Sequence, residues 1–262
     1  MTMTDSVSYA LDNDEVTASA MLDNLAAVWD DFTRQRLSQV GIPKGARCWE
    51  AAAGNGSIAH WLADQGAQVI ATDVNPRHIR PHPGVTVLQH DDEKEPAPGE
   101  GFHLIHARCA FAHWPTREAV VAKFAAALAP GGALVIEDWG KWLGWVLSSP
   151  VPDAAGIYDR YQNALLKVFE AAGNDTSWAG RTADAMTAAG LVRVDTAVQS
   201  GTWRGGTAHC RLPLAVSTEL RQPLLAHGAT EEDLDALPEV LENEETLLLG
   251  NIGFSTIGYR PA

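Results

Sequence analysis

Two glycines and four acidic side chains, placed at fixed intervals, carry the most chemistry in this chain. The run Glu50-Ala-Ala52-Ala-Gly54-Asn-Gly56-Ser57 is followed by Asp73-Val74 and then by Asp91-Asp92. Small residues at 52, 54 and 56 let a turn backbone approach a ligand closely, and glycine adopts positive φ without steric cost. A helix opening just after such a turn offers free N–H groups to whatever lies over it. Asp73 sits where a carboxylate accepts hydrogen bonds from a ribose diol. Asp91 or Asp92 falls where an adenine amino group would be met, and Glu50 can hold the ammonium of an amino-acid moiety. The segment Gly54-Asn-Gly-Ser-Ile-Ala59 also fits the nicotinamide fingerprint. Against that reading, a site that must receive a pyrophosphate has no use for Glu50.

These side chains need strands and helices to hold them. Apolar residues at Met21, Leu22, Leu25, Val28, Trp29, Phe32, Leu37 and Val40 follow helical spacing over 16–40. Strands are expected at 46–51, 67–72, 85–89, 102–106 and 133–137, with helices at 57–65 and 117–128. The run Ala129-Pro-Gly-Gly132 stops the last of these. This βα alternation predicts a parallel sheet covered on both faces. Residues 139–176, rich in Trp, Tyr and Pro, read as a helical cap. Beyond them the pattern gives a helix at 182–189, a strand at 191–198, helices at 212–227 and 231–242, and a last strand within 245–260. The division expected is one domain over 1–262: lid helices in 1–45, a cofactor core in 46–138, and cap or acceptor segments in 139–176 and 199–243.

In order and spacing, these pieces resemble a class I S-adenosylmethionine-dependent methyltransferase. The carriers are Glu50-x-Ala52-x-Gly54-x-Gly56, Val69-Ile-Ala-Thr-Asp73, His90-Asp91, Phe102-His-Leu-Ile-His-Ala-Arg108 and Leu128-Ala-Pro-Gly-Gly-Ala-Leu-Val-Ile-Glu-Asp138. The layout, with its leading helix and its Phe254-Ser-Thr-Ile-Gly-Tyr-Arg-Pro261 ending, resembles actinobacterial small-molecule (natural-product) methyltransferases. The resemblance implies an α/β, Rossmann-like seven-stranded sheet with a reversed last strand, and S-adenosyl-L-methionine as cofactor. Glu50, Ala52, Gly54 and Gly56 would then line its methionine half and Asp73, with Val74 beside it, its ribose. Asp91 or Asp92 would meet the adenine, and His106 and Arg108 would lie near the sulfonium. Two departures stand out: Ala52 where the family usually has Gly, and His103 where it has Asp.

Methyl transfer needs alignment above all, and a general base only when the acceptor must lose a proton. The candidate bases are His113, His209 and His106. Asp138, ending the fifth strand, could bind an acceptor hydroxyl or cap the next turn. The aromatic cluster Trp139, Trp142, Trp145, Tyr158 and Tyr161 is expected to wall a pocket for a cyclic or aromatic acceptor, with Trp139, Trp142, Tyr158 and Tyr161 as its contacts. Three readings stay open beside methyl transfer: a cyclisation or other use of the bound sulfonium, a non-catalytic cofactor-binding subunit, and a nicotinamide oxidoreductase.

Composition narrows the partners. A formal charge of −14 and a pI near 4.9 disfavour nucleic acid and anionic membranes. No apolar run approaches the ~20 residues of a bilayer span. The polar start of the chain does not read as a secretory signal. Cys48, Cys109 and Cys210 lack any paired spacing, so neither a disulfide nor a metal site is expected, and a cytoplasmic setting fits. The expected partner is a small-molecule acceptor, and the expected assembly a homodimer.

Overall fold

The computed structural model describes residues 16–141 and 144–262. Helix α1 (Val16–Val40) leads to β1 (Arg47–Ala51), α2 (Ser57–Asp64), β2 (Gln68–Asp73), β3 (Val85–Gln89) and β4 (Phe102–Arg108). Helix α3 (Arg117–Ala127) then runs directly into β5 (Leu128–Trp139). The second half holds β6 (Trp145–Ser148), α4 (Ala154–Ala171), α5 (Thr182–Ala188), β7 (Val192–Gln199) and β8 (Thr202–Arg204). It ends with α6 (Ala208–Glu219), α7 (Arg221–Ala226), α8 (Glu231–Glu242), β9 (Leu247–Leu249) and β10 (Gly253–Tyr259).

The main sheet has seven strands in the order β3-β2-β1-β4-β5-β10-β7. Its first five strands are parallel, and β10 lies antiparallel between β5 and β7. This is the mixed sheet with a reversed strand that the family resemblance implies, where the βα alternation alone predicts a parallel one. Strands buried on both faces read as near-continuous apolar runs, and β1 and β4 do so with Cys48, Trp49, Phe102, Leu104 and Ile105 wholly buried. The strand order reverses between β1 and β4, so the loops leaving their carboxyl ends part and open a crevice.

Several elements differ from the sequence reading, each for a local reason. Ala129–Gly132 does not interrupt the chain as a loop. The register between β4 and β5 shifts there from Phe102↔Leu128 to Leu104↔Ala133. Gly131 takes φ +77 within this bulge, and a Cβ on Gly132 would meet the Phe102 carbonyl oxygen at 2.6 Å. The helix expected over 212–227 breaks at Leu220, because Pro223 has no N–H to donate back to Glu219. A small antiparallel sheet in the order β6-β9-β8 was not foreseen. Its strands have three or four residues each, too short for a period to show. It joins α4, α6, α7 and α8 in a second apolar cluster around Tyr158, Tyr161, Leu237 and Leu248. Among the described residues, no helix is long and apolar enough to cross a membrane. Residues 1–15 of the expected lid and the Trp142 side chain lie outside the described residues.

Candidate functional site

The turn after β1 is wound by three positive φ values: Ala52 at 50°, Gly54 at 58° and Gly56 at 79°. The helix-opening Gly56 is crowded, since a Cβ there would meet Ile79 at 2.8 Å. Ala52, the departure noted in the sequence, therefore occupies a left-handed conformation that costs a non-glycine residue roughly 1–2 kcal/mol. A buried relay holds it there. The Trp49 Nε1–H donates to Thr72 Oγ1 (2.7 Å), Thr72 Oγ1 donates to Asp92 Oδ2 (2.9 Å), and the Ala52 N–H donates to the same oxygen (2.8 Å). His90 Nδ1 bonds Asp92 Oδ1 at 2.7 Å. Burial pushes the Asp92 carboxyl up to about 6 despite these donors. Thr72→Val should cost about 1–3 kcal/mol, because it orphans the buried Trp49 N–H and removes a donor from Asp92. Urea unfolding checks this, with an unchanged midpoint as the contrary result.

Asp73 completes the turn. Its Oδ2 accepts the Gly54 N–H and its Oδ1 the Asn75 N–H, both at 2.9 Å. Both oxygens keep a lone pair for a ligand. Glu50, Ala52, Gly54, Asp73, Val74, Asp92 and Arg108 all line one cavity at the carboxyl edge of the sheet. Asp91 does not. Its carboxylate turns to Lys94 Nζ (3.0 Å) and to the backbone N–H groups of Glu93 and Lys94. Asp92 reaches the wall, but its Oδ2 already accepts from both Ala52 and Thr72 and its Oδ1 is paired with His90, so its main role is to shape the turn.

His106 is not on a cavity wall. It is wholly buried between two carboxylates: Nδ1 lies 2.8 and 2.9 Å from the Glu50 oxygens, and Nε2 lies 3.3 Å from Glu137 Oε2. Burial alone would depress this imidazole, but Glu50 and Glu137 overcome it and raise it to about 9. An imidazolium held charged at neutral pH cannot accept a proton there, which removes His106 from the candidate bases. What it does is fix both oxygens of Glu50.

Helix α1 closes this cavity. Thr33 Oγ1 hydrogen-bonds Glu137 Oε2 across the sheet edge. Asp30 takes Ser57 Oγ at 3.0 Å and Arg108 Nη1 at 3.1 Å, and Asp23 takes Asn55 Nδ2 at 2.9 Å. Leu22 and Leu25 form part of the lining. Arg108 spends its charge on Asp30 and also donates to Thr33. The cavity is therefore acidic on balance, with Glu50, Asp73 and Asp92 on its wall, and a pyrophosphate would be poorly received.

A second, largely apolar cavity adjoins the first, and Leu22, Leu25, Cys109 and His113 belong to both. Its aromatic wall is Trp139, Tyr161, Phe169 and Trp203. Of the expected aromatic contacts, Trp139 and Tyr161 are there. Tyr158 is packed away in the core, where its hydroxyl accepts from Gln162 Nε2 at 2.8 Å. Trp145 is half-exposed on β6. Polar groups in this cavity are few: His113, Asp138, Gln162, Asn174, Thr176 and Asn251. Burial lowers the His113 imidazole and the Arg117 charge adds to this, while a hydrogen bond with Asn174 opposes it. Burial pushes the Asp138 carboxyl up to about 7, although the Ala112 N–H donates to Oδ2 at 3.2 Å. His209 is elsewhere, with its ring tilted on Trp203 in a neighbouring cavity. His103 accepts the Arg47 N–H on the exposed far side of β1.

Leu22, Leu25, Phe169, Asn174 and Asn251 were not found from the sequence. Leu22 and Leu25 were visible only as members of a helical stripe. The other three are brought in by contacts distant along the chain.

A parallel sheet with a reversed strand, an acidic cavity over its β1 turn and an apolar cavity beside it define the Rossmann-like methyltransferase class. Residues 21–176 match the family model described as "Methyltransferase domain", and the chain belongs to that family. It is 32% identical over 171 residues to methyltransferase str2 of Strobilurus tenacellus, covering 64% of this chain and 60% of that one. It is 31% identical over 111 residues to methyltransferase str3 of the same organism, covering 41% and 40%. The matches thus span less than two thirds of these curated relatives. Both are fungal, and they do not show the actinobacterial resemblance. By fold, the chain is similar to Haemonchus contortus phosphoethanolamine N-methyltransferase 2, solved with phosphomonomethylethanolamine and S-adenosylhomocysteine (TM-score 0.62, 14% identity, 100% of this chain, 62% of that one). It is also similar to the YcgJ protein of Bacillus subtilis (TM-score 0.56, 15% identity, 87% and 97%).

Proposed function

We propose that this protein is an S-adenosylmethionine-dependent methyltransferase acting on a small, uncharged, cyclic or aromatic acceptor. The observation that carries the reading is the pair of adjoining cavities, one acidic and one apolar, which meet at Leu22, Leu25, Cys109 and His113. The residues present suit the cofactor: Glu50 for its ammonium, the open lone pairs of Asp73 for its ribose, and the backbone at Ala52 and Gly54 for close approach. Val74, 56% exposed at the rim, gives an apolar edge for the adenine. When bound, the cofactor supplies a methyl group on a sulfonium, ready for in-line displacement.

The chain supplies the rest. The apolar cavity excludes water and orients the acceptor toward the shared residues. His113, neutral at physiological pH, takes the proton of an acceptor hydroxyl. Asp138, part-protonated, hydrogen-bonds that hydroxyl or a neighbouring one. Among the described residues lining the acceptor cavity there is no lysine or arginine, which disfavours phosphorylated or carboxylated acceptors.

Calorimetric titration with S-adenosylhomocysteine and, separately, NAD tests the reading. Binding of the first and none of the second is expected, and NAD binding alone would overturn it. Asp73→Ala removes a charged partner of the ribose and of two N–H groups. It should weaken S-adenosylhomocysteine by roughly 10- to 150-fold, the equivalent of a lost charge-assisted bond.

A further inference from the structure

Three amides and one hydroxyl, two of them on the acceptor cavity's wall, form a relay whose orientation can be fixed without ambiguity. The backbone N–H of Gly144 points at the Asn251 side chain at 2.9 Å. A backbone N–H can only donate, so the Asn251 atom it meets is the carbonyl oxygen Oδ1. Gln162 approaches the same oxygen at 3.0 Å, which makes its atom the Nε2 donor. The other hydrogen on Gln162 Nε2 goes to the Tyr158 hydroxyl. Gln162 Oε1 is therefore left buried without a donor, and Gln162 is only 3% exposed. The other end of the relay is the NH2 group of Asn251. Both of its donors lack a partner among the described residues.

The setting of that NH2 group makes it a recognition element. Asn251 lies in the short link between β9 and β10, and the chain on either side of it is tied down. The Gly250 N–H donates to the Gly201 carbonyl at 2.7 Å, and the Gly140 N–H to the Ile252 carbonyl at 2.8 Å. With Trp139 and Trp203, Asn251 belongs to both the acceptor cavity and the neighbouring cavity that holds His209, so the three side chains form the partition between them. Its oxygen is consumed twice over, so what the side chain has left to offer is its amide hydrogens. A donor fixed on a mostly apolar wall binds a neutral acceptor oxygen well and leaves a hydrocarbon of the same shape unrewarded.

We infer that Asn251 determines acceptor specificity, its Nδ2 group donating to an uncharged oxygen of the acceptor (a ketone, aldehyde, ester or ether) on the side of the ring away from the methylated position. This rests on the methyltransferase reading above and names the acceptor class more narrowly. Asn251 stands outside the cofactor cavity, so the two can fail separately.

Asn251→Asp tests it with little disturbance. The new carboxylate can still accept from Gly144 and Gln162, and those donors hold it ionised. Only the face toward the cavity changes, from donor to acceptor. Binding of three matched probes to the protein saturated with S-adenosylhomocysteine would be measured near neutral pH: 3-hydroxyacetophenone, 3-ethylphenol and 3-hydroxybenzoate. For the wild type, the ketone should bind most tightly. In Asn251→Asp, the ketone should weaken about tenfold or more, while 3-ethylphenol and S-adenosylhomocysteine change less than about twofold. Asn251→Leu, which has no amide, should bring ketone and ethylphenol to equal affinity.

Equal binding of the ketone by wild type and Asn251→Asp would overturn the assignment, as would failure of all three probes to bind the wild-type complex. Loss of S-adenosylhomocysteine binding in the wild type itself would instead sink the methyltransferase reading. A melting curve for each variant separates a local change of specificity from loss of the fold.

Discussion

Replacing His106 with leucine should lower the folding free energy by about 3–5 kcal/mol, the cost of removing one partner from a buried ion pair. Few domains hold more than about 5–15 kcal/mol in total, so this single change approaches the limit of what the fold can bear. Without the imidazolium, Glu50 on β1 and Glu137 on β5 are left buried on either side of β4 with no counter-charge between them. One of them must then take up a proton or draw in water. Urea unfolding at neutral pH measures the loss, and a change below about 1 kcal/mol would contradict the network. Adding Glu137→Gln to His106→Leu removes one of the stranded charges and should restore part of the stability.

The same site predicts the pH dependence of the wild type. In the folded state His106 stays charged up to about 9, whereas unfolded it titrates at its ordinary value of 6.5. The folded state thus binds the extra proton. The stabilisation is fully present below the unfolded value and is lost as pH rises through the folded one. The buried carboxyls of Asp92 and Asp138, raised by burial to about 6 and about 7, act in the same sense at lower pH. Their contribution is present below the ordinary carboxyl range and is gone near neutrality. A decline in wild-type stability between neutral pH and about 9 is therefore the signature of His106, and His106→Leu should lack it.

Turnover should respond most strongly to His113. With a hydroxylated acceptor, His113→Gln should slow methyl transfer by roughly 10²–10⁴-fold, the usual contribution of a positioned general base. Glutamine keeps a polar side chain of similar reach but cannot accept a proton. Because burial holds the imidazole below its ordinary value, the wild-type rate should stay high down to mildly acidic pH and fall only as the ring becomes protonated. The variant should lose that acid limb. S-adenosylhomocysteine release, followed by mass spectrometry with 3-hydroxyacetophenone as acceptor, measures both. A loss under about threefold with the acid limb intact would assign the proton to another group.

The comparison of His106, His113 and His209 shows where reading from the sequence stops. His106 lies within β4, His113 in the short turn that follows it and His209 in the first turn of α6, and none has a telling neighbour in sequence. Their roles separate only through contacts remote along the chain. Glu50 meets His106 across 56 residues, and Thr33 meets Glu137 across 104. His209 is drawn to Trp203 on β8, in a sheet whose strands are too short to be anticipated. The choice between Asp91 and Asp92 is of the same kind. The two are adjacent in sequence, yet one turns to Lys94 and the other to Ala52, forty residues earlier.

What the sequence by itself determined was everything held by short-range rules. The apolar runs of the parallel strands, the positive-φ turn at Gly54 and Gly56, and a carboxylate ending β2 are each set by a few neighbouring residues. Together they were enough to predict the sheet and the cofactor cavity at its edge. Only the tertiary structure decided that His106 is a charged clamp on Glu50, that α1 closes the cavity, and that His113 stands where the two cavities meet. It alone placed Asn251 on the wall of the apolar cavity. The reason is physical: burial, charge pairing and amide orientation depend on which distant segments share a space, and no local spacing records that.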